Sequence, residues 1–491
     1  MKKFQILFNF LVFFSGLSCG AQSVFRVPIG VQIQNLNQSE AEDFLNIRVL
    51  LNLGSGLVKL DKDLKPLPAL AESWEVSKDF TRYTFKLRKN FWSDGKPIKA
   101  QDFERGINHS LAPETAAKLI GPLKDIIIGI KSLDESTLEI RLSHPSSYFL
   151  SLLALPMCFP APETNEFQIT EKTPTSGPYI LKSLKQDKII LEPNLKSRTP
   201  AKNILKFQFV KDQSAQISLY EKGKLDFIDK LPSSDYERFK NSPEMIKAPW
   251  LATYYIAFNV TRPPFSDRKA RLAFAQSVNR EDTLKIIRDP QVVASTLVPH
   301  PLEGSDLKLG PEFNPKKAKE TWGEISQAPL SVDFYFDAQD KNNLIAARLQ
   351  KQIEEILKIK LKLKSMEWKS YLNFIKDPKT GPSFYRFAWL STFPDPLSYL
   401  EIFKSNSPNN HSGYKSEKYD NLVEEIARAP LGAKRKDLIS QAQETLITDD
   451  VVLIPLFHYV QYLLIGSRWK GLDPTPMGLL YFDQAHLSSS P

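Results

Sequence analysis

The chain has 491 residues, which is more than one ordinary hydrophobic core accommodates, so two or three domains are expected. Hydrophobic residues make up 42% of the sequence and charged residues 25%, which excludes a disordered or fibrous chain. The formal net charge is +9, but basic and acidic residues are interleaved along the sequence. Without a concentrated basic patch, no nucleic-acid partner is expected.

The N-terminus has the pattern of an export signal. Lys2 and Lys3 precede an apolar stretch, Phe4–Phe14, and small residues follow it. An apolar stretch of this length is typical of a signal peptide and is too short to span a bilayer. Residues 1–21 are therefore predicted to be a signal peptide, and the mature protein is expected in the periplasm or the cell envelope.

The two cysteines raise the question of a lipid anchor. Cys19 stands at the end of the signal segment, with Gly16 where lipoprotein signals usually have Leu. Lipidation at Cys19 and ordinary cleavage near Gly20 or Ala21 both remain open. Cys158 lies in an apolar context and is predicted to be a buried small residue, so no intramolecular disulfide is expected.

Strand and helix patterns alternate through the chain. Period-two alternation and β-prone composition predict strands at Thr81–Lys89, Asp187–Pro193, Asn203–Val210, Leu225–Asp229, Thr253–Val260, Leu330–Phe336, Leu361–Trp368 and Val451–Ile465, the last broken by Pro455. Amphipathic periodicity predicts helices at Ala100–Leu111, Ser214–Gly223, Lys269–Arg280, Asn342–Lys358, Lys418–Ala429 and Lys434–Asp449. The strand–helix–strand order across 330–368 predicts a parallel pair of strands.

The sequence motifs give no support for catalysis or metal binding. S-x-x-K spacing occurs at Ser93–Lys96 and Ser305–Lys308, but the first is a turn and the second lies between glycines rather than at a helix start. The six histidines are scattered without metal-ligand spacing. No enzymatic activity, metal or cofactor is expected, although turnover of a model peptide would revive a secreted peptide or cell-wall hydrolase as an alternative.

Four segments carry a resemblance to a known family. They are Phe91–Phe103 (FWSDGKPIKAQDF), Thr175–Leu181 (TSGPYIL), Tyr254–Arg280 and Arg386–Leu400 (RFAWLSTFPDPLSYL). In their order and spacing they resemble family 5 of the ABC-transporter extracellular solute-binding proteins, the oligopeptide- and dipeptide-binding family. The resemblance covers most of the chain, roughly residues 64 to 465.

The resemblance implies an α/β fold of the two-lobed periplasmic binding protein type (type II, three-domain variant). Two crossing segments would join the lobes, near Tyr254–Asn259 and Leu456–Tyr462. The implied domains are residues 22–56, 174–258 and 462–491 for the core of lobe 1, 57–173 for an extra domain of lobe 1, and 259–461 for lobe 2.

The resemblance also implies a ligand-contact segment at Arg386–Pro396. In peptide-binding members a Trp there packs on ligand side chains and an Arg meets a peptide carboxylate, and Trp389 and Arg386 stand at those positions. An Asp that commonly pairs with the ligand α-ammonium is replaced by Thr392. Asp395 belongs to the Asp-Pro pair that the family uses structurally, and a ligand contact by Asp395 is the alternative.

The change to Thr392 leaves three outcomes open, because a neutral hydroxyl cannot supply the counter-charge that a desolvated ammonium requires. In the first, another acid, such as Glu40, Glu42 or Asp43, pairs with the ligand ammonium. In the second, the ligand amine is blocked or absent. In the third, the ligand is not a peptide.

Further ligand-wall candidates lie at the two crossings. They are Tyr254 and Tyr255 in the first crossing and His458 and Tyr459 in the second. Because side chains alternate along a strand, only one of Tyr254 and Tyr255 is expected to face the cleft.

The implied function is that of a monomeric solute-binding protein of an ABC importer, which closes on a peptide or peptide-like ligand and delivers it to a membrane permease. A nickel chelate or a sugar-derived ligand is the alternative within the family. The secreted peptide or cell-wall hydrolase is the alternative from another class, and a sensory receptor that signals through the same closure is a third alternative.

Overall fold

The computed structural model describes residues 23–33, 36–41, 43–115, 120–164, 167–391 and 393–488. Its strands in chain order are β1 Val24–Ile29, β2 Val58–Leu60, β3 Pro66–Pro68, β4 Ala71–Val76, β5 Arg82–Leu87, β6 Ile127–Ser132, β7 Thr137–Leu142, β8 Tyr179–Lys185, β9 Lys188–Pro193, β10 Ile204–Phe209, β11 Phe227–Ile228, β12 Met245–Phe258, β13 Val292–Val293, β14 Ser331–Asp337, β15 Lys360–Met366, β16 Phe384–Leu390, β17 Leu453–Ile465, β18 Trp469–Lys470 and β19 His486–Leu487. Its α-helices are α1 Phe44–Leu53, α2 Ala100–Leu111, α3 Gly121–Lys124, α4 Phe149–Leu152, α5 Gln213–Glu221, α6 Tyr236–Phe239, α7 Arg268–Ser277, α8 Arg280–Leu284, α9 Pro315–Gly323, α10 Asp340–Leu357, α11 Trp368–Ile375, α12 Leu397–Leu400, α13 Glu417–Arg428 and α14 Ala433–Glu444.

Three larger sheets organise these strands. One has the order β1-β10-β9-β8, with β1 parallel to β10 and the other pairs antiparallel. The second, β4-β5-β7-β6, is antiparallel and lies within residues 71–142. The third runs β11-β17-β12-β16-β14-β15, with β13 paired to β17. The second and third sheets each come from one continuous stretch of the chain, whereas the first combines β1, which precedes the second sheet, with β8–β10, which follow it.

Helix α2 shows how sequence signals fix a local element. It spans Ala100–Leu111, as predicted. The Asp102 carboxylate accepts a hydrogen bond from the Lys99 backbone N–H at 3.0 Å and another from Trp92 Nε1 at 3.1 Å. An acid in the first turn satisfies free backbone donors and complements the helix dipole, so it fixes where the helix begins and ties it to the preceding turn.

The predicted strand–helix–strand unit is confirmed. Strands β14 and β15 are parallel, with Ser331 opposite Lys360 and Asp337 opposite Met366, and α10 connects them. Strand β16 also runs parallel to β14, where Tyr335 is opposite Tyr385. Helix α10 buries an apolar stripe that includes Ile345. This stripe packs on one face of the third sheet, and the two together form a core cluster that is separate from the main core.

The prediction that Pro455 breaks the last long strand is wrong. β17 runs continuously from Leu453 to Ile465 through Pro455. The register with β12 shifts there, because Tyr255 is opposite Pro455 while Tyr254 is opposite Phe457. A bulge absorbs a residue without a backbone N–H, so the strand continues past the proline. The predicted helix Lys434–Asp449 is also altered, since α14 ends at Glu444 and a π-helical turn, Thr445–Asp449, follows.

Within the described ranges, no helix combines the length and the apolar character needed to cross a membrane. The predicted signal peptide and Cys19 lie outside those ranges. Cys158 is fully buried, as predicted.

Candidate functional site

The two predicted crossing segments lie side by side. Strand β12 pairs antiparallel with β17 from Met245 opposite Leu464 to Ala257 opposite Leu453, and on its other edge it pairs with β16. This arrangement brings the predicted ligand-contact segment next to the first crossing, with the second crossing on the other edge of β12. The first crossing is also longer than predicted, because β12 already begins at Met245.

The pleat divides the predicted ligand-wall residues between two faces. Tyr254 belongs to one core cluster and Tyr255 to another, as alternation along β12 requires. Tyr254 stacks on Phe457 with ring centroids 4.7 Å apart, and Tyr459 packs against the same Phe457 ring. Tyr255 packs on the opposite side against Phe387.

Arg386 lies on the Tyr254 face and is held by an ion pair inside the fold. Its Nη1 is 2.7 Å from Asp337 Oδ1, and the two side chains are 7% and 1% exposed. The guanidinium carbon is 4.9 Å from the centre of the Tyr254 ring. Burial by itself would lower the pKa of Arg386, but Tyr254, Tyr459 and Asp337 reverse the direction and raise it. The guanidinium is therefore a permanent cation with its counter-charge already in place.

A second ion pair lies near Tyr459. Lys341 Nζ is 2.8 Å from Asp289 Oδ2 and 6.0 Å from the centre of the Tyr459 ring. Trp250 packs edge-on against Tyr459, with ring centroids 6.0 Å apart. On this face the Arg386–Asp337 and Lys341–Asp289 ion pairs therefore lie beside the rings of Tyr254 and Tyr459.

His458 lies on the opposite face and is buried between hydroxyl groups. Its Nδ1 is 2.9 Å from Thr253 Oγ1, and its Nε2 is 3.2 Å from Thr296 Oγ1. Burial, together with nearby His300, lowers the pKa of His458 to about 4. The imidazole is consequently neutral at pH 7.

Trp389 is half-buried beside the core, on the same face as Tyr255. Its buried indole Nε1 has no hydrogen-bond partner among the described residues. A buried donor without a protein partner is a position where a ligand acceptor is favoured. Thr392, three residues further on, lies outside the described ranges, as does Glu42.

Asp395 is engaged on every side by the protein. Both of its carboxylate oxygens accept from Arg435 Nη2, at 2.7 and 2.9 Å, and Oδ2 accepts from Ser147 Oγ at 2.6 Å. Oδ1 also accepts from the Leu397 backbone N–H at 2.9 Å. Of the other acids considered for a ligand amine, Asp43 caps helix α1, and Glu40 accepts from the Asn37 amide at 2.9 Å.

Sequence reasoning missed Asp337, Asp289 and Lys341. One signal was present for Asp337, since it ends the strand that neighbours β16 and ligands of open α/β sheets collect at the carboxyl ends of strands. Nothing in the sequence pairs Asp289 with Lys341, which are 52 positions apart.

Comparison with known proteins identifies the chain. The family model described as "Bacterial extracellular solute-binding proteins, family 5 Middle" matches residues 65–411. The chain belongs to this family. The periplasmic oligopeptide-binding protein OppA of Salmonella typhimurium is 27% identical, and the alignment covers 91% of this chain and 89% of OppA.

Other members of the family are equally similar in sequence or share the fold. The probable deoxycholate-binding periplasmic protein YgiS of Escherichia coli is also 27% identical, over 89% of this chain and 88% of YgiS. The unliganded open form of the murein tripeptide-binding protein MppA superposes with a TM-score of 0.82 at 23% identity, over 95% of this chain and 98% of MppA. The fold is therefore the two-lobed fold of the family 5 solute-binding proteins.

Proposed function

We propose that this chain is the extracytoplasmic solute-binding protein of an ABC importer and that its two lobes close on a peptide or peptide-like ligand. Membership of family 5 carries the proposal, because the chain spans nearly the full length of OppA. The protein binds without catalysis and delivers the closed complex to a membrane permease.

The proposed core and extra domain of lobe 1 each contain one of the first two sheets, while the third sheet is shared between the lobes, because β11 and β12 belong to the core of lobe 1 and β13–β16 to lobe 2. Residues 22–56, 174–258 and 462–491 form the core of lobe 1 around β1, β8, β9 and β10. Residues 57–173 form the extra domain around β4–β7, and 259–461 form lobe 2. The β12–β17 ladder supports a hinge at the register shift between Pro249 and Thr253, because an irregular ladder bends more readily than a regular one.

The proposed ligand contacts are at the crossings and in the segment after β16. Arg386, Trp389, Thr392, Tyr254, Tyr255, His458 and Tyr459 are the proposed set, and a ligand contact by Asp395 is the alternative to its structural role. Trp389 offers the best-supported contact, since its indole N–H lacks a partner among the described residues.

The proposal extends to how the protein reaches its site of action. A signal peptide at residues 1–21 directs export, and the mature chain is a monomer in the periplasm or is anchored in the cell envelope by a lipid at Cys19. Mass analysis of the mature chain distinguishes a diacylated Cys19 from a start near residue 21 or 22.

A non-peptide ligand is the second candidate, because YgiS has the same identity to this chain as OppA and is named for deoxycholate. The alternative changes only the ligand class and keeps the same two-lobed mechanism.

Lobe closure measured by electron–electron double resonance tests the proposal and separates the two candidates. Lys78→Cys and Lys351→Cys place spin labels on exposed positions of the extra domain and of lobe 2, while fully buried Cys158 stays unlabelled. A tryptic digest of casein is expected to shorten the label–label distance, and the matching mixture of free amino acids is not. Shortening by deoxycholate and not by the digest would replace the peptide with the second candidate.

A further inference from the structure

Every formal charge in the proposed ligand-contact segment is already matched inside the protein. Between Arg386 and Pro396 the charged residues are Arg386 and Asp395. Arg386 is paired with Asp337 at 2.7 Å, and Asp395 accepts two hydrogen bonds from Arg435. The segment therefore presents a ligand with hydrogen-bonding and aromatic groups but with no uncompensated charge.

The Arg386–Asp337 pair is built into lobe 2. Asp337 ends β14 and Arg386 lies on the neighbouring strand β16, so the backbone fixes their separation. Asn342 Nδ2 donates to Asp337 Oδ1 at 2.9 Å, and the Tyr254 ring covers the guanidinium. Neither partner can turn away without leaving the other buried and unpaired, which is strongly unfavourable.

A ligand carboxylate at Arg386 would meet both charges of the pair. Its attraction to the guanidinium would be offset by repulsion from Asp337 in a region with little water. The carboxylate would also lose its own hydration. A hydrogen bond from Arg386 Nε–H, which has no partner among the described residues, would offset only part of that loss. An uncharged carbonyl escapes the repulsion from Asp337. On the opposite face of β16, Trp389 Nε1–H, which has no partner among the described residues, is a donor from which such a carbonyl can accept a hydrogen bond.

A second ion pair near Tyr459 is also compensated inside the protein. Lys341 and Asp289 are matched at 2.8 Å, and their side chains are 24% and 12% exposed. A ligand that packs on Tyr459 therefore meets two compensated ion pairs.

We infer that lobe 2 recognises a ligand whose ends carry no charge at this site, and that Asp337 determines this specificity. This inference rests on the proposed function. Asp337 keeps the Arg386 charge inside the fold, and Thr392 leaves no acid for a ligand amine at its position. Blocked peptides, cyclic peptides and the interior of longer peptides have the required chemistry, whereas short free peptides anchored by their termini do not.

A randomised library of tetrapeptides built from uncharged residues tests the inference. It is synthesised in four forms: with free ends, N-acetylated, C-amidated, and both. An equimolar mixture is equilibrated with the mature protein, and the retained peptides are counted by mass spectrometry according to the state of their ends.

For the unaltered protein, the doubly blocked form is expected to be retained at least as well as the free form. In Asp337→Asn, forms with a free carboxylate are expected to gain about tenfold, since Arg386 then lacks its counter-charge. Asp333→Asn is the matched control, because Asp333 is on the same strand in a partly exposed pair with Lys364 and should change nothing.

The double variant Arg386→Gln/Asp337→Asn guards against a folding defect. It removes both charges and leaves no buried ion unpaired, so it is expected to fold and to lose the tenfold gain for free carboxylates that Asp337→Asn shows, because no guanidinium remains to attract them. A preference of the unaltered protein for the free carboxylate by tenfold or more, lost in the double variant, would overturn the inference but leave peptide binding intact. Retention of no form at all would refute both the inference and the proposed function.

Discussion

Asp395→Asn is the substitution that most sharply separates an internal counter-charge from a ligand contact. Asp395 is 3% exposed and neutralises Arg435, which is 1% exposed. After the change, Arg435 keeps Glu303 Oε2 at 3.1 Å and the Ile426 carbonyl oxygen at 3.3 Å. Breaking a buried ion pair from one side costs about 3–5 kcal/mol. Because Glu303 remains, we expect the lower end, a loss of about 3 kcal/mol in the free energy of unfolding.

Urea unfolding followed by tryptophan fluorescence measures this loss as a lower midpoint. Lys436→Gln is the control, because Lys436 lies on the same helix as Arg435 and forms an exposed pair with Asp306 at 3.6 Å. Loss of this pair should change the free energy of unfolding by less than about 0.5 kcal/mol. Peptide retention by folded Asp395→Asn should match that of the unaltered protein. Unchanged stability together with lost retention would refute the structural role and assign Asp395 to the ligand.

Three further predictions concern buried groups. His458, whose pKa is lowered by burial to about 4, is protonated more readily in the unfolded chain, so stability should rise between about pH 4 and pH 6.5, by about 3 kcal/mol from this group. His458→Gln should flatten that part of the stability–pH profile. Gly106→Ala should lower stability by about 1–3 kcal/mol, because its Cβ would lie 2.2 Å from the Phe159 carbonyl oxygen, whereas Gly129→Ala, with open space around it, should be neutral or stabilising. Cys158, whose thiol pKa is raised by burial, should react with a thiol reagent only as the protein unfolds.

Local elements of the fold were predictable where periodicity and end signals agree. Helix α2 has an acid in its first turn and an apolar stripe, and its bounds match the prediction. Strand β17 was predicted in place, but Pro455 suggested a break, because a sequence does not reveal that a bulge opposite Tyr255 accommodates the missing N–H. The first half of β12, from Met245 to Trp250, lacks a clean alternation and was missed.

The sequence predicted which segments lie close together at the site, but it did not predict which side chains pair with each other there. The segment order placed Arg386 beside the crossing strands, and alternation separated Tyr254 from Tyr255. The partner of Arg386 could not be read in the same way, because Asp337 is distant in sequence and only the parallel register of β14 and β16 brings it near. The ligand contacts themselves stay predictions.

Native mass spectrometry of the purified mature protein, before and after gentle denaturation, tests peptide binding most directly. A receptor that closes on its ligand retains it through purification when dissociation is slow. We expect a set of bound masses that are released on denaturation and fragment as short peptides. A single released mass that does not fragment as a peptide would contradict peptide binding and identify a different ligand class.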